Sequence, residues 1–141
     1  MRAPLHLWII GGLALFFSLI SLGDFLAIQL RFQPYLAQMN ADEQSFFASF
    51  PPWVQLCWAV AVCATLLGAV MLLLRHRLAT GFFALALLAM IATACHNFFL
   101  AQPRFDQVAG PEVIWFSLFV LVIGAAEWLY ARRLRKVGLI R

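Results

Sequence analysis

The chain has 141 residues, of which 65% are hydrophobic and 11% charged, with a formal net charge of +4. Soluble domains carry roughly half apolar and about a quarter charged residues, so a water-soluble globule is excluded: its interior is too small to hide this many apolar side chains. Lipid is the solvent this composition calls for, and the expected fold class is an all-α integral membrane protein.

The first charge-free run, Ala3 to Gly23, is 21 residues long. A hydrocarbon core of ~30 Å needs about 20 helical residues, and the apolar pattern continues past Asp24, so a helix is predicted over Leu5–Leu30. Arg2, the stretch Leu7–Ile20 and Ser21-Leu22-Gly23 also have the outline of a cleaved signal peptide. The basic region is thin and Phe25-Leu26-Ala27-Ile28 extends the pattern, so the segment is read as a retained helix.

Arg31 to Pro52 is the longest connection and is not simply polar. Asn40 followed by Glu43 has the spacing of a helix start, with Asn as cap and Glu reaching back. Phe46, Phe47 and Phe50 then form one apolar face before Pro51-Pro52 stops the helix. A short interfacial helix, or a lid over the bundle mouth, is predicted there.

Trp53–Leu74 and Leu78–Pro103 are charge-free for 22 and 26 residues, giving helices over Trp53–Leu74 and Leu78–Leu100, joined by the tight Arg75-His76-Arg77 turn. The fourth run, Val113 to Ala126, is interrupted by Glu127 and extends through Trp128-Leu129-Tyr130 to Ala131. In lipid every backbone group must bond within its own segment, so all four are helical. A single membrane domain over 1–141, a four-helix bundle of antiparallel neighbours, is expected. Ala61, Thr65 and Ala69, with Ala64 and Gly68 alongside, and Ala14, Ser18 and Ser21 on the first helix mark close helix contacts, within the bundle or between copies.

Eight basic residues (Arg2, Arg75, Arg77, Arg132, Arg133, Arg135, Lys136 and Arg141) fall on one side and two, Arg31 and Arg104, on the other. The positive-inside rule then puts both termini in the cytoplasm of a cell with a plasma (inner) membrane. The net charge reflects topology and anionic lipid headgroups, and no nucleic-acid partner is expected. Trp8, Trp128 and Tyr130 would form the inner aromatic belt, and Tyr35, Trp53 and Trp115 the outer one.

Ionisable residues within a span cost about 2.5–3.5 kcal/mol at the centre on insertion scales and call for an explanation. Asp24 lies 19 residues beyond Leu5, ~28 Å along a helix, and so in the outer third. Gln55, His96 and Asn97 share that level. If they converge, Asp24 would orient a charged His96 in a polar, ligand-binding or proton-linked pocket; otherwise the four form a structural hydrogen-bond network. Glu127, near the inner end of the last helix, is expected to form a structural ion pair with Arg75, Arg77, Arg132 or Arg133.

Cys57, Cys63 and Cys95 lack the paired spacing of metal or redox motifs and read as small packing residues, although Cys57 and Cys95 lie at similar depth and could be bridged. His6, His76 and His96 are dispersed, leaving haem or metal binding through His96 a weak proposal. No nucleophile elbow, zinc-protease helix or phosphate loop occurs, so no metal or other cofactor is expected and enzyme activity is unsupported.

Leu7-Trp8, Gly23-Asp24-Phe25, Tyr35-Leu36-Ala37-Gln38, Phe50-Pro51-Pro52-Trp53 and Tyr130-Ala131-Arg132-Arg133 together resemble a family of small four-helix bacterial inner-membrane proteins that often carry an automatic sugar-transporter label. None of these is a reaction motif, and in that family a residue stands between the helix-one glycine and acid, where here they adjoin. The resemblance implies a bacterial inner-membrane location. Neither an inverted repeat nor a pair of broken helices accompanies it. Two functional classes follow: a non-enzymatic component that binds lipid, a membrane-protein partner or further copies of itself, and a small transporter or ligand sensor using Asp24, Gln55, His96 and Asn97. A membrane oxidoreductase using Cys57 and Cys95 is a third.

Overall fold

The structure, a computed structural model, describes residues 2–141, and no strand occurs among them. Four helices are long and apolar enough to cross a membrane: α1 (Leu5–Gln29), α4 (Pro52–Leu73), α5 (Leu78–Cys95, continued by a π-turn over His96–Leu100) and α7 (Glu112–Lys136). Three short helices, α2 (Gln33–Leu36), α3 (Ala41–Ala48) and α6 (Phe105–Ala109), lie in the connections at the end remote from the termini, here called the lid end.

Local chemistry accounts for most of the boundaries. Proline is tolerated at the first helical position, where the N–H has no partner to lose, and α4 begins on Pro52. The predicted capping box at α3 is present: Glu43 N–H donates to Asn40 Oδ1 at 2.8 Å and Asn40 N–H to Glu43 Oε2 at 3.0 Å. α7 runs five residues beyond the expected end at Ala131. Charge ends a membrane span but not a helix; arginine and lysine are good helix formers and are favoured at a C-terminus, where the helix dipole is negative.

Three helix ends close with the same reverse turn. At α1, Phe32 N–H bonds to Ala27 O at 2.9 Å and Arg31 N–H to Ile28 O at 3.3 Å; at α4, His76 N–H bonds to Met71 O at 2.8 Å and Arg75 N–H to Leu72 O at 3.0 Å. At α7, Leu139 N–H bonds to Leu134 O at 3.0 Å and Gly138 N–H to Arg135 O at 3.2 Å. The motif requires a left-handed residue, usually glycine. Gly138 supplies it at φ 75°, whereas Arg31 (φ 52°) and Arg75 (φ 58°) adopt it against their Cβ preference.

Arg75 has a visible reason to do so. Its Nε donates to Leu139 O at 3.1 Å, and the backbone of Arg141 pairs with the same turn, through Arg141 N–H to Arg75 O at 3.0 Å and Arg77 N–H to Arg141 O at 2.9 Å. The segment after α7 is therefore folded back as a plug, with Ile140 buried among Leu7, Leu72, Ala79, Phe83, Ala131 and Leu134.

The long helices pack in the order α1, α4, α5, α7, and no extended contact closes the ring between α1 and α7. Small residues set the closest approaches. A Cβ on Gly68 would lie 2.9 Å from the Phe83 ring, and one on Gly11 would lie 2.6 Å from Leu73 Cδ2. Ala61, Ala64, Thr65, Gly68 and Ala69 are buried, as are Ala14 and Ser18. These small residues lie at contacts within the chain, where they let backbones approach closely, whereas Ser21 of the α1 stripe is exposed.

Candidate functional site

Two structures occupy the lid-end half of the molecule: an aromatic cap and a groove beside it. The cap is built by α3. Gln44 Nε2 ties it to the preceding turn by donating to Leu36 O at 2.8 Å and Met39 O at 3.2 Å. The Phe46 ring stacks on Phe105 at 5.0 Å, Phe47 stacks on Trp58 at 5.7 Å, and the Phe50 edge meets His96 at 5.4 Å. Phe46 and Phe50 are buried with Val54 and Ala101. The rings expected to face an interface are turned onto the protein, so α3 packs as a lid on α6 and on Trp58 of α4.

Beside that cap the four residues expected to converge meet only in part, with Asn97 adjoining His96 and sharing the groove with Asp24. His96 is buried beneath it, edge-on to Phe50 and to Trp53 (5.6 Å), and its Nδ1 is 3.2 Å from Asn97 Oδ1. Gln55 donates to Phe50 O at 3.4 Å, holding the turn into α4. Asp24 is exposed on α1, where its Oδ1 accepts the Tyr35 hydroxyl at 3.1 Å. Equal depth did not bring Asp24 to His96, because His96 packs against Phe50 and Trp53 while Asp24 bonds to Tyr35 and lines the groove. Asp24 and Asn97 do share an environment: both line the groove.

The groove lies where α1 and α7 diverge. The two are joined near the termini by His6 Nδ1 and the Tyr130 hydroxyl, 2.6 Å apart; toward the lid end they part, leaving a cavity of about 460 Å³ floored by α4 and α5. Ser18, Ser21 and Asp24 face it from α1, Thr65 from α4, Thr93 and Asn97 from α5, and Ser117 and Glu127 from α7. Trp58 and several phenylalanines make up much of the rest. Three of the hydroxyls bond back to their own helices, Ser18 to Ala14 O at 2.5 Å, Thr65 to Ala61 O at 2.7 Å and Thr93 to Ala89 O at 2.9 Å. At this point α1 and α7 give the groove an open side.

Glu127 corrects an expectation. Among the described residues its carboxylate has no ion pair; the one salt bridge is Arg104 to Asp106 at 3.2 Å. Arg75 is engaged with the plug, Arg77 offers its backbone to Arg141, and the Arg132 guanidinium lies 5.5 Å from the Trp128 ring centroid. The basic residues lie beyond the last turn of the groove, and Glu127 instead points into it. The three cysteines are free thiols, with no bridge between Cys57 and Cys95. What sequence reasoning missed is the groove itself. Its only forewarning was the pairing of two acids, Asp24 and Glu127, in otherwise apolar helices.

Tyr35 carries an electrostatic signature of this arrangement. Burial first, and then the Asp24 carboxylate to which it donates, hold its phenol above the ordinary range. A raised phenol stays protonated in the folded state; the associated stability is present below the unfolded-state value and is lost as pH rises through the folded one. In an ultraviolet titration Tyr35 is expected to ionise above free tyrosine, and Asp24→Asn to lower that midpoint part of the way. An unchanged midpoint in Asp24→Asn would dissociate the two side chains.

The fold and site together define an all-helical protein with four helices of spanning length and a lateral groove. No family model matches the chain, and neither a curated protein nor a solved structure shows significant similarity to it.

Proposed function

We propose that this protein is a multi-pass component of a bacterial inner membrane, with both termini cytoplasmic, that binds a membrane-borne amphiphile in the groove between α1 and α7. The observation that carries the reading is the open side of a cavity of drug-like volume, about 460 Å³, in helices that lipid would otherwise surround. Ligand sites commonly enclose ~300–1,000 Å³ of mainly apolar wall with a few polar groups that fix orientation. The eight-to-two distribution of basic residues supports the orientation, in which the lid lies outside the cytoplasm.

Apart from Ser21, which lines the groove, the small-residue stripes and the Phe-rich segment are engaged within the chain, which turns the partner-binding reading toward the groove. A sugar-transporting role, the label suggested by resemblance, is disfavoured by the walls: a sugar needs a dense set of hydrogen-bond partners, and most groove residues are apolar. Flux of an amphiphile remains the second reading, favoured by Asp24 and Asn97 within one cavity.

Native mass spectrometry of the protein released from nanodiscs tests the proposal. The wild type is expected to retain a reproducible adduct of one lipid or amphiphile per chain, and a groove-filled variant, Ser21→Trp with Thr93→Phe, to lose it. An adduct of equal occupancy in both, or none in either, would reject the groove as a binding site.

A further inference from the structure

The proposed groove site has a charge pattern that specifies its occupant further. Two carboxylates, Asp24 and Glu127, line it, and its walls contain no arginine, lysine or histidine. Neither acid has an ion-pair partner among the described residues. Among the described residues Asp24 accepts one hydrogen bond, from the Tyr35 hydroxyl to Oδ1.

The two acids enter from opposite walls, α1 and α7, at different heights. Asp24 is five residues from the end of α1 at Gln29, and Glu127 is fifteen residues from the start of α7 at Glu112. At ~1.5 Å per residue they lie about 8 Å and 22 Å from their respective lid-end termini. A carboxylate at membrane depth with no counter-charge is costly. A cationic occupant lying along the groove would supply that counter-charge to both.

The aromatic wall points to the same chemistry independently. Phe17, Trp58, Phe98, Phe116 and Phe119 all line the cavity. Aromatic faces attract cations through the ring quadrupole, most strongly when water is excluded. Aromatic faces combined with acids at the two ends suit a bulky, weakly hydrated organic cation; a sugar, a neutral lipid tail or an anion would leave the carboxylates unmatched.

We infer that the groove is a binding site for lipophilic organic cations, held between Asp24 and Glu127 and against the aromatic wall. The inference rests on the groove being a ligand site, as proposed above.

Tetraphenylphosphonium and tetraphenylborate form a matched pair of probes, nearly equal in shape and opposite in charge. Titrated into nanodisc-embedded protein in mildly alkaline buffer, tetraphenylphosphonium is expected to bind saturably at one per chain, and tetraphenylborate only to partition into the lipid. The near-isosteric changes Asp24→Asn and Glu127→Gln, each checked for monodispersity, are expected to weaken the cation about tenfold or more, given the strength of a charge contact away from bulk water. Asp42→Asn, outside the groove, serves as the charge control and should bind as wild type. Equal uptake of both ions, or wild-type affinity in both groove variants, would overturn the inference. If the cation fails while the adduct lost on groove filling is a neutral amphiphile, the charge inference falls and the groove proposal stands. If groove filling changes no binding at all, the groove proposal falls with it.

Discussion

Replacing Gly68 by leucine is expected to destabilise the protein by about 2–3 kcal/mol, the upper part of the range for forcing atoms into a packed interior. A Cβ there would approach the Phe83 ring to 2.9 Å, and Phe83 is buried. The ring has little room to retreat, because Leu7, Leu72, Ala79 and Ile140 belong to the same cluster. α4 and α5 form the most extensive helix pair in the molecule, so the strain falls on the central contact of the fold. For a chain of this length the loss corresponds to a fall of about 10 °C in thermal midpoint. Gly12→Leu and Gly81→Leu provide the comparison, since a Cβ at either glycine meets nothing within 4 Å. Equal midpoints for Gly68→Leu and Gly81→Leu, measured in the same nanodiscs, would show that α4 and α5 do not approach as closely as described.

The second large effect concerns the plug. Ile140→Asp would bring a carboxylate into a site where the native side chain is 1% exposed, and the chain after Gly138 is expected to detach. Detachment forfeits ~2 kcal/mol of isoleucine burial and two backbone hydrogen bonds worth about 1 kcal/mol each. Hydrogen exchange reads this locally: protection of the Arg77 and Arg141 amides should fall by roughly a hundredfold or more, while amides in the middle of α4 keep theirs. Arg141→Ala, which leaves Ile140 and both backbone bonds in place, should retain protection at Arg77. Full protection at Arg77 in Ile140→Asp would mean that the side chain is not the anchor. The plug also explains the left-handed Arg75, since that turn presents the carbonyl of Arg75 and the N–H of Arg77 to Arg141.

Much of the helical framework was legible in the residues. The four long helices start and end within a few residues of their expected limits, apart from α7, because the charge-free runs carry a constraint that would act on every residue: a backbone placed in lipid has to bond to itself. The lid helix was legible for a different reason. Asn40, Glu43 and the Pro51-Pro52 stop act over three to ten residues of chain, and such short-range chemistry survives in any fold.

The site was legible only in part. Asp24 and Asn97 share the groove, but His96 is under the lid, Gln55 holds the turn into α4, and Glu127 has the groove in place of an arginine. Depth along a helix follows from counting residues at ~1.5 Å each, so the sequence could rank these groups by height. Which way each one faces depends on how its helix is rotated against its neighbours, and here the π-turn at His96–Leu100 and the aromatic stack on Phe46 and Phe47 decide that rotation.

By itself, then, the sequence determined the number and approximate extent of the long apolar helices, the capped start of α3 at Asn40, and the stripes of small residues. Only the tertiary structure decided that α1 and α7 part toward the lid end, that Ile140 returns to plug the other end, and that two acids face one cavity. These outcomes turn on contacts between residues far apart in the chain, such as His6 with Tyr130 and Arg75 with Leu139. Their energies depend on packing complementarity, which no local pattern of residues records.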